Sequence, residues 1–422
     1  MLGENSFGIL HIEVYTPPYA IKQTELEIQD NCAGKYVKGL GQIERSVNHF
    51  DEDVISMALQ VVKNMLRKTG ILKSDIGRID VGTETRTDSS KSIASHVQQL
   101  LECTDIEGID CTNACFGGTM ALFNSLSWLH SPFWSGKYSI VITTDIAIYE
   151  GTPNATGGAA AVCMLLGPNA PLIVNPLYTN FTQHAYDFYK PNPLTGLPLV
   201  DGPLSLKCYF NALLSCYRSY KLKSNTKRLE DFVGICCHTP FAKQVEKSIV
   251  LMKIHDSIAN EEKTDLESEL ASILYSFDIT NILHVLDNKK CFSECMTICK
   301  SIISTLSSDS LYLPRLIGNA YCSSLFISIY SFLSVQPQRR GKIGVFAYGS
   351  GCMARFYTID INNTIGMNDY RLLLERTYLD CTTFQEWITK FQKLRLTADY
   401  VSEETTHHSS LSTITNWKRL YE

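Results

Sequence analysis

The stretch "DCTNACFGGTMALFNSLSWL", residues 110–129, decides the fold, because it reads as a strand end, a tight turn and an apolar helix in one short run. Cys115 stands at the turn, and Gly117 and Gly118 behind it permit close approach of backbone to a neighbour or ligand. A second stretch, "GNAYCSSLFISIYSFL" (318–333), can be set beneath it with Asn319-Ala320 under Asn113-Ala114. In that register Glu84 falls opposite His238, each at the end of its strand, and Asp145 falls opposite Ser350. The chain therefore reads as an internal repeat of supersecondary units.

Outward from that stretch, strands and helices alternate, which is the pattern of an α/β fold. The run 52–70 has helical apolar spacing and a Gly70 stop, 76–85 is a short strand, and 89–102 is a helix. "YSIVITTDIAIY" (138–149) is a buried strand, followed by the loop "EGTPNATGG" (150–158) and the strand "AAAVCMLLG" (159–167). In the second half, 229–240 reads as a strand and 241–255 as a helix. The run 310–334 reads as strand, turn and helix, and 341–359 as strand, Gly-turn and strand. The expected units are residues 1–170 and 171–422, with a helical insertion near 256–308 and a loose polar segment near 396–412.

Composition narrows the class. The chain has 422 residues, 45% of them hydrophobic, enough for a generous core. A net charge of −5 without a dominant basic run argues against nucleic acid as a partner. No run approaches the roughly 18 apolar residues of a membrane span. The 15 cysteines are odd in number and lack framework spacing, and the opening residues carry neither a secretory nor a mitochondrial leader pattern. A reducing, intracellular setting follows.

Cys115 has three readings: core filler, metal ligand or nucleophile. A thiol at a helix mouth faces free N–H groups and the positive end of the dipole, which lowers its pKa. The same N–H groups suit an acyl-transfer oxyanion. Glu84, Cys115 and His238 all fall at strand ends, where α/β folds gather ligands. A carboxylate, a thiol and an imidazole together suit acyl transfer with proton removal from carbon. Rival features read as packing. Cys291, Cys295 and Cys299 share one helix face as a buried apolar stripe, Cys236 and Cys237 point to opposite strand faces, and His407-His408 lies in the loose segment.

Seven motifs, "DIEGIDCTNACFGGT", "VGTETRTDSSKS", "AGKYVKGLGQ", "HAYDFYKPN", "HTPFAKQVEKS", "GNAYCSSLF" and "YGSG", carry a resemblance. Together they are similar to eukaryotic hydroxymethylglutaryl-CoA synthase, from about Gly8 to the C-terminal Trp-containing segment. The resemblance implies the thiolase fold, two similar α/β halves in a five-layered αβαβα sandwich, and a homodimer. It implies that Cys115 is acetylated by acetyl-CoA, that Glu84 removes a proton from the acetyl methyl, and that His238 orients acetoacetyl-CoA and polarises its ketone. Lys243 and Lys247, one helical turn apart, match CoA-phosphate positions. Asn319, Ser350, Asn154, Thr156, Ser205 and Ala33 match substrate-contacting positions, and Asp145, Tyr149, Asp187 and Tyr189 a supporting shell. CoA thioesters are substrates, with neither cofactor nor metal implied. The role expected is cytoplasmic, in the mevalonate route to isoprenoids and sterols.

There are departures from the family pattern. The loop 150–158 is shorter than the family's and lacks its Arg-Pro pair, Phe116 stands where Tyr is usual, and Cys32 stands where an acid is common. The alternatives are another thiolase-fold condensing enzyme, either a ketoacyl synthase or a carrier-protein-dependent β-branching synthase, and a degenerate homologue that only binds partners.

Overall fold

The computed structural model describes residues 6–192, 195–367, 369–402 and 410–421. Its main sheet takes β1 (Gly8–Tyr15), β2 (Ile76–Gly82), β3 (Glu107–Cys111), β4 (Tyr138–Ile146) and β5 (Ala159–Gly167) from the first half of the chain. The second half supplies β6 (Leu172–Thr182), β7 (Gly234–Cys237), β8 (Gly341–Gly349) and β9 (Met353–Ile361). The strand order is β7-β8-β9-β6-β1-β5-β4-β2-β3. β1 and β6 meet through a single registered pair, Ile9 with Leu172, so two sheets join edge to edge.

The pairing pattern repeats. β1–β5 and β5–β4 are antiparallel and β4–β2 parallel. Likewise β6–β9 and β9–β8 are antiparallel and β8–β7 parallel. β3, parallel to β2, has no counterpart among the described residues of the second half.

Ten helices of the described residues enter the argument: α1 (Val54–Thr69), α2 (Ile93–Leu101), α3 (Gly117–Leu129), α4 (Gly202–Lys223), α5 (Ala242–Ala259), α6 (Asp265–Ser276), α7 (Lys289–Ile298), α8 (Lys300–Leu311), α9 (Ser324–Val335) and α10 (Cys381–Arg395). Three apolar cores separate five layers. α1 and α2 cover one outer face, over Ile140, Ile142, Ala161 and Cys163. α3 and α9 share the middle with Val141, Val162, Val345 and Ala347. α4, α5 and α8 cover the other outer face, over Ile235, Cys237, Phe346 and Phe356. Alternate residues of each strand thus enter different cores, which is why the strands read as continuous apolar runs. This is the thiolase-like five-layered sandwich that the sequence led us to expect.

Local signals account for several ends. Asp53 caps α1 through the Ile55 and Ser56 N–H groups, and Gly70 closes it at φ 67°. Cys236 faces the middle core and Cys237 the outer one, and Cys291, Cys295 and Cys299 are buried in that outer core.

Two expectations need correction. The strand expected within 310–318 is absent: α8 runs to Leu311 and a helical turn follows at Pro314–Ile317. Pro314 has no N–H to give a sheet and suits the first turn of a helix. The segment 396–412, expected to be loose, holds strand Tyr400–Val401 and the start of strand Leu411–Thr415, which pairs with Lys418–Tyr421. Residues 403–409, and with them His407 and His408, lie outside the described residues.

Candidate active site

The helix mouth at Cys115 is shaped by close packing. A Cβ on Gly82 would stand 2.3 Å from the Gly118 Cα, and one on Gly118 would stand 2.6 Å from Thr143 Cγ2. β2, β4 and α3 therefore approach more closely than any side chain allows, and the turn before α3 is pressed onto the strand ends. Ala114 takes φ 42°, a left-handed conformation that costs a non-glycine residue about 1 kcal/mol or more. The second half reaches the same spot. Cys322 Sγ donates to the Ala114 carbonyl at 3.1 Å, and a Cβ on Gly349 would stand 2.7 Å from Phe116 Cβ.

Cys115 Sγ lies 3.9 Å from Glu84 Oε1. Glu84 follows β2, and its N–H donates to Asp145 Oδ1 at 2.9 Å. Asp145, fully buried on β4, also accepts from Thr83, Thr85 and, through Oδ2, the Cys322 N–H at 2.9 Å. It ties Glu84 in one half to the Cys322 turn in the other. Burial, with the Asp145 charge adding to it, lifts the Glu84 carboxyl to about 7 against the pull of Lys190.

The expectation of a low thiol pKa is overturned. Burial, joined by the Glu84 and Asp145 charges, raises the Cys115 thiol well above its ordinary value. Two carboxylates and lost hydration outweigh the helix end, so Cys115 rests as a thiol.

His238 follows β7, and its N–H donates to the Phe346 carbonyl while its own carbonyl accepts from Tyr209. The imidazole is 3% exposed, its Nδ1 has no hydrogen-bond partner among the described residues, and burial pushes it down to about 3. It is neutral at any physiological pH. Segment 187–190 runs between this side and Glu84. Asp187 accepts from Tyr348 Oη at 3.0 Å and from the Gly351 N–H at 2.9 Å, Phe188 packs against Tyr149 and Tyr321, and Lys190 reaches Glu84. A cavity of about 280 Å³ opens on Glu84 and Ala114, walled by Phe188, Tyr189, Lys190 and Leu197.

The other expected residues are spread around this centre. Asn319 Nδ2 donates to Tyr149 Oη at 3.2 Å, its Oδ1 accepts from Ser324, and its N–H donates to the Thr156 carbonyl. Arg45, absent from the sequence reading, grips the loop 150–158 and the strand end before it: it donates to the Asn154 carbonyl, to Asn154 Oδ1 at 2.9 Å and to the Ala147 carbonyl at 3.2 Å. Ser350 is half-buried in the β8–β9 turn, Ser205 sits in the first turn of α4, and Ala33 is exposed before the π-helical segment Lys35–Leu40. Lys243 is paired with Glu246 at 2.6 Å, and Lys247 lies 6.0 Å from the Phe292 ring centre. Of the expected residues, Glu84 and Tyr189 line this cavity, whereas Cys115, His238 and the remaining expected residues do not.

Sequence reasoning also missed Lys190 and Cys322, although both lie inside quoted motifs. Among the described residues, no group of three or more His, Cys, Asp or Glu side chains could hold a metal ion, and no helix is long and apolar enough to cross a membrane.

Two α/β halves that share a four-strand pairing pattern, with a cysteine at one central helix mouth and a buried glutamate against it, define a thiolase-fold acyl-transferring enzyme. Comparison with known proteins makes this specific. The family model "Hydroxymethylglutaryl-coenzyme A synthase N terminal" matches residues 4–171, and its C-terminal companion matches 172–415. The chain belongs to the hydroxymethylglutaryl-CoA synthase family. It is 40% identical over 373 residues to the cytoplasmic hydroxymethylglutaryl-CoA synthase of Cricetulus griseus, covering 84% of this chain and 71% of that one. It is 38% identical over 374 residues to the mitochondrial enzyme of Rattus norvegicus, covering 84% and 73%. A solved structure of MvaS in complex with 3-hydroxy-3-methylglutaryl coenzyme A superposes with a TM-score of 0.82 at 25% identity, over 99% of each chain.

Proposed function

We propose that this chain condenses acetyl-CoA with acetoacetyl-CoA to hydroxymethylglutaryl-CoA, with Cys115 carrying the acetyl group. The observation that carries the proposal is the 3.9 Å contact between a half-buried thiol and a buried carboxyl poised near neutrality.

In the first step the Cys115 sulfur attacks the acetyl-CoA carbonyl. The thiol proton leaves with the CoA thiolate, and an acetyl thioester remains. Glu84, as carboxylate, then takes a proton from the acetyl methyl, whose acidity the thioester raises. The carbanion adds to the ketone carbon of acetoacetyl-CoA, and the alkoxide recovers the proton from Glu84. His238, held neutral, donates an N–H to the ketone oxygen, as a neutral imidazole can without carrying charge into the pocket. Water then cleaves the Cys115 thioester, giving the product carboxylate, a proton and the free thiol.

Asn319, Asn154, Thr156, Ser205, Ser350 and Ala33 contact the acyl-CoA substrates in this reading, and Lys243 and Lys247 meet CoA phosphates. Lys243 exchanges Glu246 for phosphate when CoA binds. Asp145, Tyr149, Asp187 and Tyr189 order the pocket. The setting proposed is cytosolic, in the mevalonate route to isoprenoids and sterols. The free thiols support it, while the relatives include both cytoplasmic and mitochondrial enzymes. A homodimer is supported by β3, an edge strand of the sheet among the described residues, where Ile109 is half-exposed.

The test is an assay of purified protein with both thioesters. Wild type consumes acetoacetyl-CoA only when acetyl-CoA is present, and Cys115→Ala does not. Turnover by Cys115→Ala overturns the reading, and activity confined to acyl-carrier-protein thioesters moves the chain to the β-branching synthases.

A further inference from the structure

Lys190 lies directly after the two-residue strand Phe188–Tyr189. Its ammonium is 3.5 Å from Glu84 Oε1 and donates to the Glu84 carbonyl oxygen at 3.3 Å. The same nitrogen stands 4.3 Å above the Tyr321 ring centre. The lysine side chain is 17% exposed and the glutamate's 5%, so the pair is screened from solvent. Asp187, three residues upstream, is fixed to Tyr348 and Gly351 of the second half, which anchors the segment from which Lys190 reaches across.

The geometry points to Lys190 as a positioning residue for the proton-transferring carboxylate: its ammonium favours the ionised form of Glu84 and holds the carboxylate against Cys115. This rests on the reading of Glu84 as the general base. The other groups facing Glu84 cannot do this. Asp145 carries a like charge, and Cys115, Tyr149, Tyr321 and Cys322 are acids kept neutral by burial. Arg86 and Arg395 line the same cavity, but among the described residues Lys190 alone is within ion-pairing distance of Glu84. An opposite charge this close shifts a carboxyl by about 1–3 pH units. Without it, burial and Asp145 act on Glu84 unopposed, and the base is protonated at neutral pH.

The experiment is the pH dependence of kcat/KM for wild type, Lys190→Met, Lys190→Gln and Lys190→Arg. It is paired with an infrared titration of the Glu84 carboxylate band, assigned by difference against Glu84→Gln. The wild-type acid limb has its midpoint near 7. The two neutral variants move that midpoint, and the infrared midpoint with it, upward by about 1–3 units, so that activity lost at neutral pH recovers at alkaline pH. Lys190→Arg stays near wild type. Neutral variants that lose activity equally at every pH, with both midpoints unmoved, overturn the inference. Lys190→Gln provides a second neutral side chain if Lys190→Met does not fold. Wild type without condensation at any pH defeats the functional reading instead, and the infrared titration still decides the role of Lys190.

Discussion

His238 shows how burial selects a chemical form. Its pKa falls from 6.5 to about 3 because the enclosed imidazole cannot keep the hydration a cation needs. The unfolded chain takes up that proton near pH 6.5 and the folded chain does not. The stability His238 supports is therefore complete above pH 6.5 and is lost as pH falls toward 3. Urea titrations at stepped pH check this: between pH 6.5 and about 5 the wild-type midpoint drops more steeply than that of His238→Asn. Parallel curves contradict it. The Glu84–Cys115 contact was legible in the sequence because each residue sets a reactive group at a strand end, and His238 was singled out on the same ground. The direction of the Cys115 shift was not legible, since it depends on Asp145 and Glu84 arriving from separate strands. Lys190 and Arg45 were hidden for the same reason: a lone cation beside Phe188 or inside "IERSV" reads as a solvated charge until its long-range partner is known.

The turn between β3 and α3 depends on glycines whose role is space. Gly118→Ala places a methyl 2.6 Å from Thr143 Cγ2 and 2.9 Å from the Phe326 ring. Overpacking of this kind costs about 1–3 kcal/mol. A displacement of Cys115 by about 1 Å lowers kcat by roughly 100-fold. Gly70→Ala serves as control: Gly70 has φ 67° with open space around it, so its loss costs about 1–2 kcal/mol and leaves kcat intact. Denaturant midpoints and steady-state kinetics on both variants check the pair, and equal effects on kcat contradict the account. Arg45→Met removes three donations onto the loop at Asn154 and the Ala147 carbonyl. Hydrogen bonds from charged donors are each worth about 1.5–3 kcal/mol, so the expected outcome is a lower Tm and a raised KM for acetoacetyl-CoA with a smaller change in kcat. An unchanged KM would separate Asn154 from substrate binding. The strand wrongly expected within 310–318 marks the limit of pattern reading. Leu311, Leu313 and Ile317 are apolar enough for a strand, but Pro314 sets a helical turn that packs beneath strand Glu44–Val47.

The two halves share their middle core. α3 and α9 pack there against β4 and β5 from one side and β8 and β9 from the other. Neither half can unfold without exposing that layer, so the account predicts one cooperative calorimetric transition, and two resolved transitions contradict it. The duplication was legible from the Asn-Ala pair and strand-end positions. That β3 has no counterpart among the described residues of the second half was not, because a helical turn at Pro314–Ile317 stands before the second Asn-Ala pair. What unites these levels is the Cys115 thiol lying 3.9 Å from the Glu84 carboxyl. The most direct test is mass mapping of the Cys115 peptide after Glu84→Ala is incubated with acetyl-CoA alone and then with acetoacetyl-CoA. The account predicts an acetyl group on Cys115 that persists when acetoacetyl-CoA is added, with no condensation product. Unmodified Cys115, or product formed without Glu84, would contradict it.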